Sequence, residues 1–568
     1  MDAQASILDQ DVESEIKEIL MMCGTHKASV SIRYTQAGTK DRLWEHELRT
    51  FSITGGTGKP EYRATPDAEQ VFHIASVTKL LVAVAVFIAI EVRAKDNVPN
   101  NPYAKFRDIQ NEPIARVYNR YSNAKISGLP GNPTIYNLIV HYMGIRSANH
   151  RQLAPDGTPI TNLADIGQDL ISPVTHDTAG VYTKKSWTEY SNVNYGVIAM
   201  TIEALWGRGL DSFMRETLFK YLNMDSTSIG FPEGKKDGLN SWVVDADENP
   251  HSLPVIRYQE DGAEAGALGA YSTAQDMDAF FKFLLDTFHE TNTIPGFDLL
   301  VLAKILKMVN RYTDEIRFTG LGIFTTLDSS VIGLQSSNRL QFPDEDFYTY
   351  PVLSGSLGEG LGTYHMVGSG IGCSCATAFY PSPNQGNHAI VVLTDTSGPV
   401  VSADHILKLL LRRVAEVQRS DKILPPHWQL KIVKEMVNQA KKKTMEQWKK
   451  SLQNDHLLRE KAPKINKDIL GTFKGQGFSQ KLYISVSDSG HTKICIGGSS
   501  TPVRSSSFDL IWVNENSVKI CVPPHLSIDC LGNGDWSNLY FTVQNSGPRV
   551  TKLTRETASG LDHYLRIL

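Results

Sequence analysis

Cysteine, charge of one sign and long apolar runs are all scarce in this 568-residue chain, and each scarcity removes a class of protein. The six cysteines, Cys23, Cys373, Cys375, Cys495, Cys521 and Cys530, are too few and too scattered for a disulfide framework or a zinc site. Cys373 and Cys375 alternate as strand neighbours do, so they read as two buried thiols on one side. Basic and acidic residues nearly balance, 57 against 61, and the net charge of −4 gives neither nucleic acid nor a membrane surface a reason to bind. Met1 to Lys17 carries Asp2, Asp9, Asp11, Glu13 and Glu15, with no basic start and no apolar core, so it is not a secretory signal. The longest apolar run, Leu80 to Ile90, is too short to span a bilayer. The expectation is a cytoplasmic protein without membrane insertion, nucleic-acid partner, metal or cofactor.

What is present describes a globular protein. Apolar residues make up 41% and charged residues 21%, and the length calls for one large domain plus a smaller one. Residues 1–26 read as a polar helix and lead-in. Val30, Ile32 and Tyr34 alternate as a strand over Ala28–Tyr34, with Leu43–Ile53 as its hairpin partner across Ala37-Gly38-Thr39-Lys40. Gly55 to Lys59 is glycine-rich beside a lysine but lacks the spacing of a phosphate-binding loop, and reads as a turn. Helices follow at Pro133–His141, Tyr195–Trp206, Leu210–Leu222 and Thr273–Leu285, the last capped by Ser272 or Thr273. Strands return at Thr377–Tyr380 and His388–Thr394, then a helix at Ser402–Val417. Strands at both ends of a helical middle imply one sheet assembled from the two ends. Trp428–Leu452 reads as a lysine-rich linker helix packed by one face. Beyond Leu470, short alternating segments such as Leu482–Val486 and Phe508–Val513 form a small all-β domain.

The chemistry centres on Ser76-Val77-Thr78-Lys79, at the head of the apolar run. On a helix, residues three apart share a face, which sets the Lys79 amine one turn from the Ser76 hydroxyl. A serine hydroxyl becomes a good nucleophile when a neighbouring base takes its proton, and an amine is a base only when held unprotonated, here by the apolar surroundings. The competing structural reading is a capping serine followed by a snorkelling lysine. Ser14-Glu15-Ile16-Lys17 repeats the spacing in an acidic helix near the terminus, so the tetrapeptide alone is weak evidence.

Four phrases in order add to it: Phe72 through Lys79, Thr134 through Gly144, Tyr190-Ser191-Asn192, and Gly269 through Met277. Over roughly residues 27 to 417 the chain resembles the serine β-lactamase-like superfamily, in particular the branch of class C β-lactamases, D-alanyl-D-alanine carboxypeptidases, related esterases and the fungal lovastatin side-chain acyltransferase. The resemblance implies an α+β domain, an antiparallel sheet with flanking helices and an α-rich insertion. It implies Ser76 as nucleophile and Lys79 and Tyr190 as the groups that move its proton, with Asn192 orienting Lys79 or a substrate carbonyl. Tyr121-Ser122-Asn123 repeats the second motif but precedes the segment ending at His141, where the family does not place it. A competing reading packs Tyr190 on Trp206.

The third motif departs from the pattern. The family carries Lys-Thr-Gly or His-x-Gly on a strand, and here the stretch reads Tyr364-His365-Met366-Val367-Gly368-Ser369-Gly370. Counting puts Met366 at the cationic position, Gly368 at the glycine and Ser369 at the oxyanion donor. His365, one place off, reaches the substrate side only through a bulge. With Met366 there, recognition of a substrate carboxylate is not expected. The C-terminal segment, through Leu470-Gly471-Thr472-Phe473 and Tyr540–Val543, resembles the lipocalin-like barrels appended to some members. It would cover the site, pair subunits in a homo-oligomer or bind a partner.

The reading is thus a lead-in (1–26), a catalytic domain (27–419), a helical linker (420–466) and a β-barrel (467–568). The expected activity is hydrolysis or acyl transfer through an acyl-enzyme, on an ester, lactone, thioester or amide of a hydrophobic small molecule, with natural-product biosynthesis as a setting. Two alternatives stay open: a cyclase or isomerase using Lys79 and Tyr190 for proton transfer, and a catalytically silent binding module.

Overall fold

The computed structural model describes residues 6–35, 44–54, 61–95, 112–126, 129, 132–142, 147–167, 190–234, 239–245, 248–291, 299–311, 317–326, 338, 363–381, 386–418, 430–461, 467–498, 505–523, 526, 536, 538–546, 549–557 and 560–567. The turns expected at 37–40 and 55–59, and Cys530, lie outside these. The chain divides into two compact units: Met1–Ala104, Asp211–Val255 and Leu268–Thr444 form one, and Lys105–Leu210, Ile256–Ala267 and Met445–Leu568 the other.

The first unit is built on a mixed-origin antiparallel sheet. Its strands are β1 (Lys27–Thr35), β2 (Trp44–Thr54), β3 (Glu61–Thr65), β4 (Val309–Arg311), β5 (Arg317–Thr319), β6 (Phe324–Thr326), β7 (Thr363–Gly370), β8 (Cys373–Tyr380) and β9 (His388–Thr394). Among the described residues their order is β3-β2-β1-β9-β8-β7-β6-β5-β4, so the first strand pairs with the last, Val30 opposite Val392. The sheet is assembled from both ends of the domain, as its sequence pattern implies.

One face of this sheet packs on α1 (Gln10–Cys23) and on the helix from Ser402 to Gln418. Val30, Ile32, Ala376, Ala378, Ile390 and Val392 meet Val12, Ile16, Ile19 and Leu20, and Ile406, Leu410 and Val414, in one apolar core. Each such valine, leucine or isoleucine contributes about 1.5–3 kcal/mol by leaving water. The N-terminal helix is therefore not a surface element. Its acidic residues line the outer face, while a stripe at helical spacing is buried.

The expected apolar run lies within α2 (Thr78–Lys95), and Leu80 to Ile90 are each at most 4% exposed. By length and composition the stretch 75–93 would cross a bilayer, because the helix continues past the uninterrupted run. In this fold it is a core helix.

The second unit holds α3 (Asn192–Trp206), short helical turns at Ile114–Tyr121, Ile135–Ile139 and Asn149–Gln152, and a closed barrel. The barrel strands are β10 (Gly471–Gly475), β11 (Lys481–Val486), β12 (Thr492–Gly497), β13 (Ser505–Asn514), β14 (Ser517–Cys521), β15 (Tyr540–Ser546), β16 (Arg549–Thr557) and β17 (Gly560–Arg566). Neighbours pair antiparallel in chain order, and Phe473 opposite Arg566 closes β10 onto β17. Closure removes the edge strands of an open sheet.

Candidate active site

Ser76 sits in the single 3-10 turn Ala75–Val77, which runs directly into α2. Two features fix that turn. Thr78 Oγ1 donates to Ala75 O at 2.6 Å and accepts from the Ala270 N–H at 3.0 Å, tying the turn to strand Ala270–Thr273. Ala75 itself has φ +43°, a left-handed conformation that a residue with a Cβ adopts only at a cost. The strain lies one residue before the candidate nucleophile.

Lys79 Nζ is 3.1 Å from Ser76 Oγ, and the lysine is 1% exposed. Burial holds its ammonium well below the usual lysine range. An amine kept neutral beside a hydroxyl can accept that hydroxyl's proton.

The third-motif strand packs against this turn. A Cβ added to Gly368 would stand 2.8 Å from Ile74 O and 3.0 Å from Ser76 N, and 2.6 Å from Cys375 Sγ. Only a glycine allows this approach, and it brings the β7 backbone next to the Ser76 N–H. Cys375 Sγ donates to Ile74 O at 2.9 Å, and burial pushes its thiol up to about 12, so it serves as a contact and not a nucleophile.

The β7–β8 register runs unbroken from Tyr364 opposite Phe379 to Gly370 opposite Cys373, with no bulge. Met366 therefore shares the Gly368 face, and His365 lies on the other. His365 is buried, and burial lowers it to about 4 within the fields of Asp404 and Lys408 on the Ser402–Gln418 helix. The bulge on which its place among the substrate-facing residues depended is missing. Ser369 is exposed next to Gly368.

Three residues before Ser76, His73 is paired with Cys373, a pairing that the sequence did not mark. His73 Nε2 lies 2.6 Å from Leu268 O, and since a carbonyl only accepts, Nε2 carries the proton. Nδ1 is then the acceptor for the Cys373 thiol, 3.0 Å away. Burial lowers His73 to about 4, so the ring is neutral.

The second motif lies in the other unit. Tyr190 precedes α3, and Asn192 is that helix's first residue. Tyr190 packs against His141, the ring centroids 4.4 Å apart and the planes tilted by 36°. His141 Nδ1 accepts the Ser191 N–H at 3.2 Å and lies 3.3 Å from Asn194 Nδ2, while Asn192 Nδ2 donates to Asn149 Oδ1 at 2.8 Å. His141 follows Thr134, whose side chain and that of Asn137 form a capping box on the short helix Ile135–Ile139. The repeat at Tyr121 ends a helix, with Ser122 as its cap. Among the described residues, no three His, Cys, Asp or Glu side chains gather as a metal-binding group.

A family model described as Beta-lactamase matches residues 49–412. No curated protein matches the chain. Among solved structures, the chain is similar to an octameric penicillin-binding protein homologue from Pyrococcus abyssi, at 15% identity and a TM-score of 0.46, with 97% of this chain and 99% of that one covered. It is also similar to a class C beta lactamase from Rhodobacter sphaeroides and to the D-amino acid amidase of Ochrobactrum anthropi SV3. Each of these is 16% identical with a TM-score of 0.46, over 72% of this chain and 99% of the other.

Proposed function

The chain belongs to the beta-lactamase family, and from that premise we propose that it is a serine hydrolase or acyltransferase acting through an acyl-enzyme on a hydrophobic small molecule. The observation that carries the reading is the buried Lys79 amine 3.1 Å from the Ser76 hydroxyl, its pKa lowered by that burial. Lys79 takes the Ser76 proton as Oγ attacks an ester, lactone, thioester or amide carbonyl. The N–H groups of Ser76 and Ser369 hold the oxyanion, and Tyr190 returns the proton to the leaving group. Asn192 orients the carbonyl.

Met366 supports the choice of substrate. It shares the Gly368 face of β7 and is 1% exposed, and the resemblance gives this position to the cation that would recognise a carboxylate. A neutral acyl donor fits a methionine at this position better than an anionic one does.

Release of p-nitrophenol from esters of increasing chain length tests the reading, with and without an added alcohol or amine. A burst equal to the enzyme concentration supports the acyl-enzyme. Partition of product towards the acceptor marks a transferase, and towards water a hydrolase. No burst and no turnover with any ester would contradict the proposal.

A further inference from the structure

The sequence leaves the barrel without a task, and the second unit supplies one. The helical turn Asn149–Gln152 carries three consecutive side chains with different attachments. Asn149 accepts from Asn192 at 2.8 Å. His150 Nε2 lies 2.8 Å from Asp562 Oδ2, and Arg151 Nη2 donates to Asp562 Oδ1 at 2.5 Å. Each carboxylate oxygen thus meets one cationic or imidazole partner, and all three side chains are buried.

Asp562 belongs to the inside of the barrel. Its neighbours along β17, Leu561 and Leu565, are 51% and 44% exposed, whereas Asp562 and Tyr564 are 1% exposed. Alternation along the strand therefore turns Asp562 inward, opposite Arg555 on β16. Burial works to raise its pKa. The charges and hydrogen bonds of His150 and Arg151 more than offset that, and the carboxyl stays well below the usual range.

Main-chain contacts fasten the same turn. Tyr564 Oη donates to Gln480 Oε1 at 2.6 Å, and Gln480 Nε2 donates to His150 O at 3.2 Å. Trp536 Nε1 donates to Leu153 O at 2.9 Å, and the Arg151 guanidinium lies 4.4 Å from the Phe478 ring centroid. The segment then returns to α3. Thr161 O accepts the Ala263 N–H at 2.9 Å, and a Cβ on Gly196 of α3 would stand 2.6 Å from Ala263 O.

We propose that Asp562 is a positioning residue for Asn192: the barrel holds His150 and Arg151 through this carboxylate, and so fixes Asn149, which orients the Asn192 amide. The proposal rests on the reading that Asn192 handles the substrate. The barrel acts as an anchor for the second motif, with its inner end occupied by the chain's own side chains.

Full-length wild type, Asp562→Asn, Asn149→Ala and the double variant test this in two ways. The first readout is the rate at which a fluorophosphonate labels the protein at Ser76. Each single substitution is expected to slow labelling roughly tenfold or more, and the double variant to be no slower than the singles, since both break one chain of contacts. The second readout is amide hydrogen exchange, which is expected to rise at residues 147–162 and 190–194 in Asp562→Asn. Wild-type labelling rates in Asp562→Asn, multiplying effects in the double variant, or unchanged exchange at 190–194 would each overturn the proposal. If wild type itself is not labelled, the acyl-enzyme reading fails, and exchange alone decides the anchor. Should Asp562→Asn not fold, Arg151→Lys keeps the charge but loses the planar fork, and is read by the same two measurements.

Discussion

Gly368 lies against Ser76 so closely that an added Cβ would be 3.0 Å from the Ser76 nitrogen and 2.8 Å from Ile74 O. The backbone that is to hold an oxyanion is therefore set by a contact no larger residue permits. Gly368→Ala is expected to leave the fold intact while β7 moves away from the turn. Loss of one oxyanion donor's alignment costs on the order of 100-fold in acylation rate. Esterase kinetics with circular dichroism as the fold control check this, and a variant within twofold of wild type would contradict the role given to this strand.

The burial that fits Lys79 for its proposed role also makes it a cost to the fold. Burial lowers the amine's pKa in the folded state, whereas the unfolded chain binds a proton up to the ordinary pKa of about 10.4. The unfolded state thus carries more protons, and stability falls as pH drops below that value until the depressed folded pKa is reached. Lys79→Met is expected to abolish acylation and raise the melting temperature. The gain should be larger at pH 7 than at pH 10, as thermal melts at the two pH values will show.

Glu203 in α3 gives a second pH dependence of opposite sign. Burial raises it to about 7, with Glu260 and Asp261 adding to the rise, while the Leu210 N–H it accepts at 3.1 Å works against it. A carboxyl protonated in the fold but ionised in the unfolded chain stabilises at low pH, and that contribution is lost as pH climbs from about 4.5 through 7. Glu203→Gln keeps an acceptor for Leu210 and removes the titration. It is expected to gain about 2 kcal/mol over wild type at pH 8 and nothing at pH 4, measured by denaturant unfolding.

Met366 shares a face with Gly368, so a cation introduced there would change which substrates are accepted. Met366→Lys is expected to lower kcat/KM for neutral esters about tenfold or more and to raise the relative rate of esters bearing a carboxylate. An unchanged ratio of anionic to neutral substrates would show that this position does not face the acyl group.

The sequence was most legible where one physical signal dominated. The buried strand His388–Thr394 carries the continuous apolar run Ala389–Leu393, and the Ser402–Gln418 helix has its serine start and helical period, so both expectations match the structure nearly to the residue. The N-terminal helix misled because Asp11, Glu13 and Glu15 drew the reading away from Val12, Ile16, Ile19 and Leu20 behind them. In the barrel, β16 and β17 turn Arg555 and Asp562 inward, which inverts the apolar-in pattern that marks a strand.

The candidate site divides in the same way. Ser76 and Lys79 are neighbours on one helical turn, so their spacing alone brings them together. The choice between His365 and Met366 needed the register of β7, which a sequence with two glycines in the strand does not reveal. Asn149 with Asn192, and His73 with Cys373, meet only through the topology, and no local pattern marks either pair.

Intact-protein mass after exposure to a fluorophosphonate, for wild type and Ser76→Ala, tests the central claim most directly. An adduct of one phosphonyl group on wild type, missing from a folded Ser76→Ala, is the predicted result. A folded wild type that gains no mass, or an adduct that survives in Ser76→Ala, would contradict the assignment of Ser76 as the activated nucleophile.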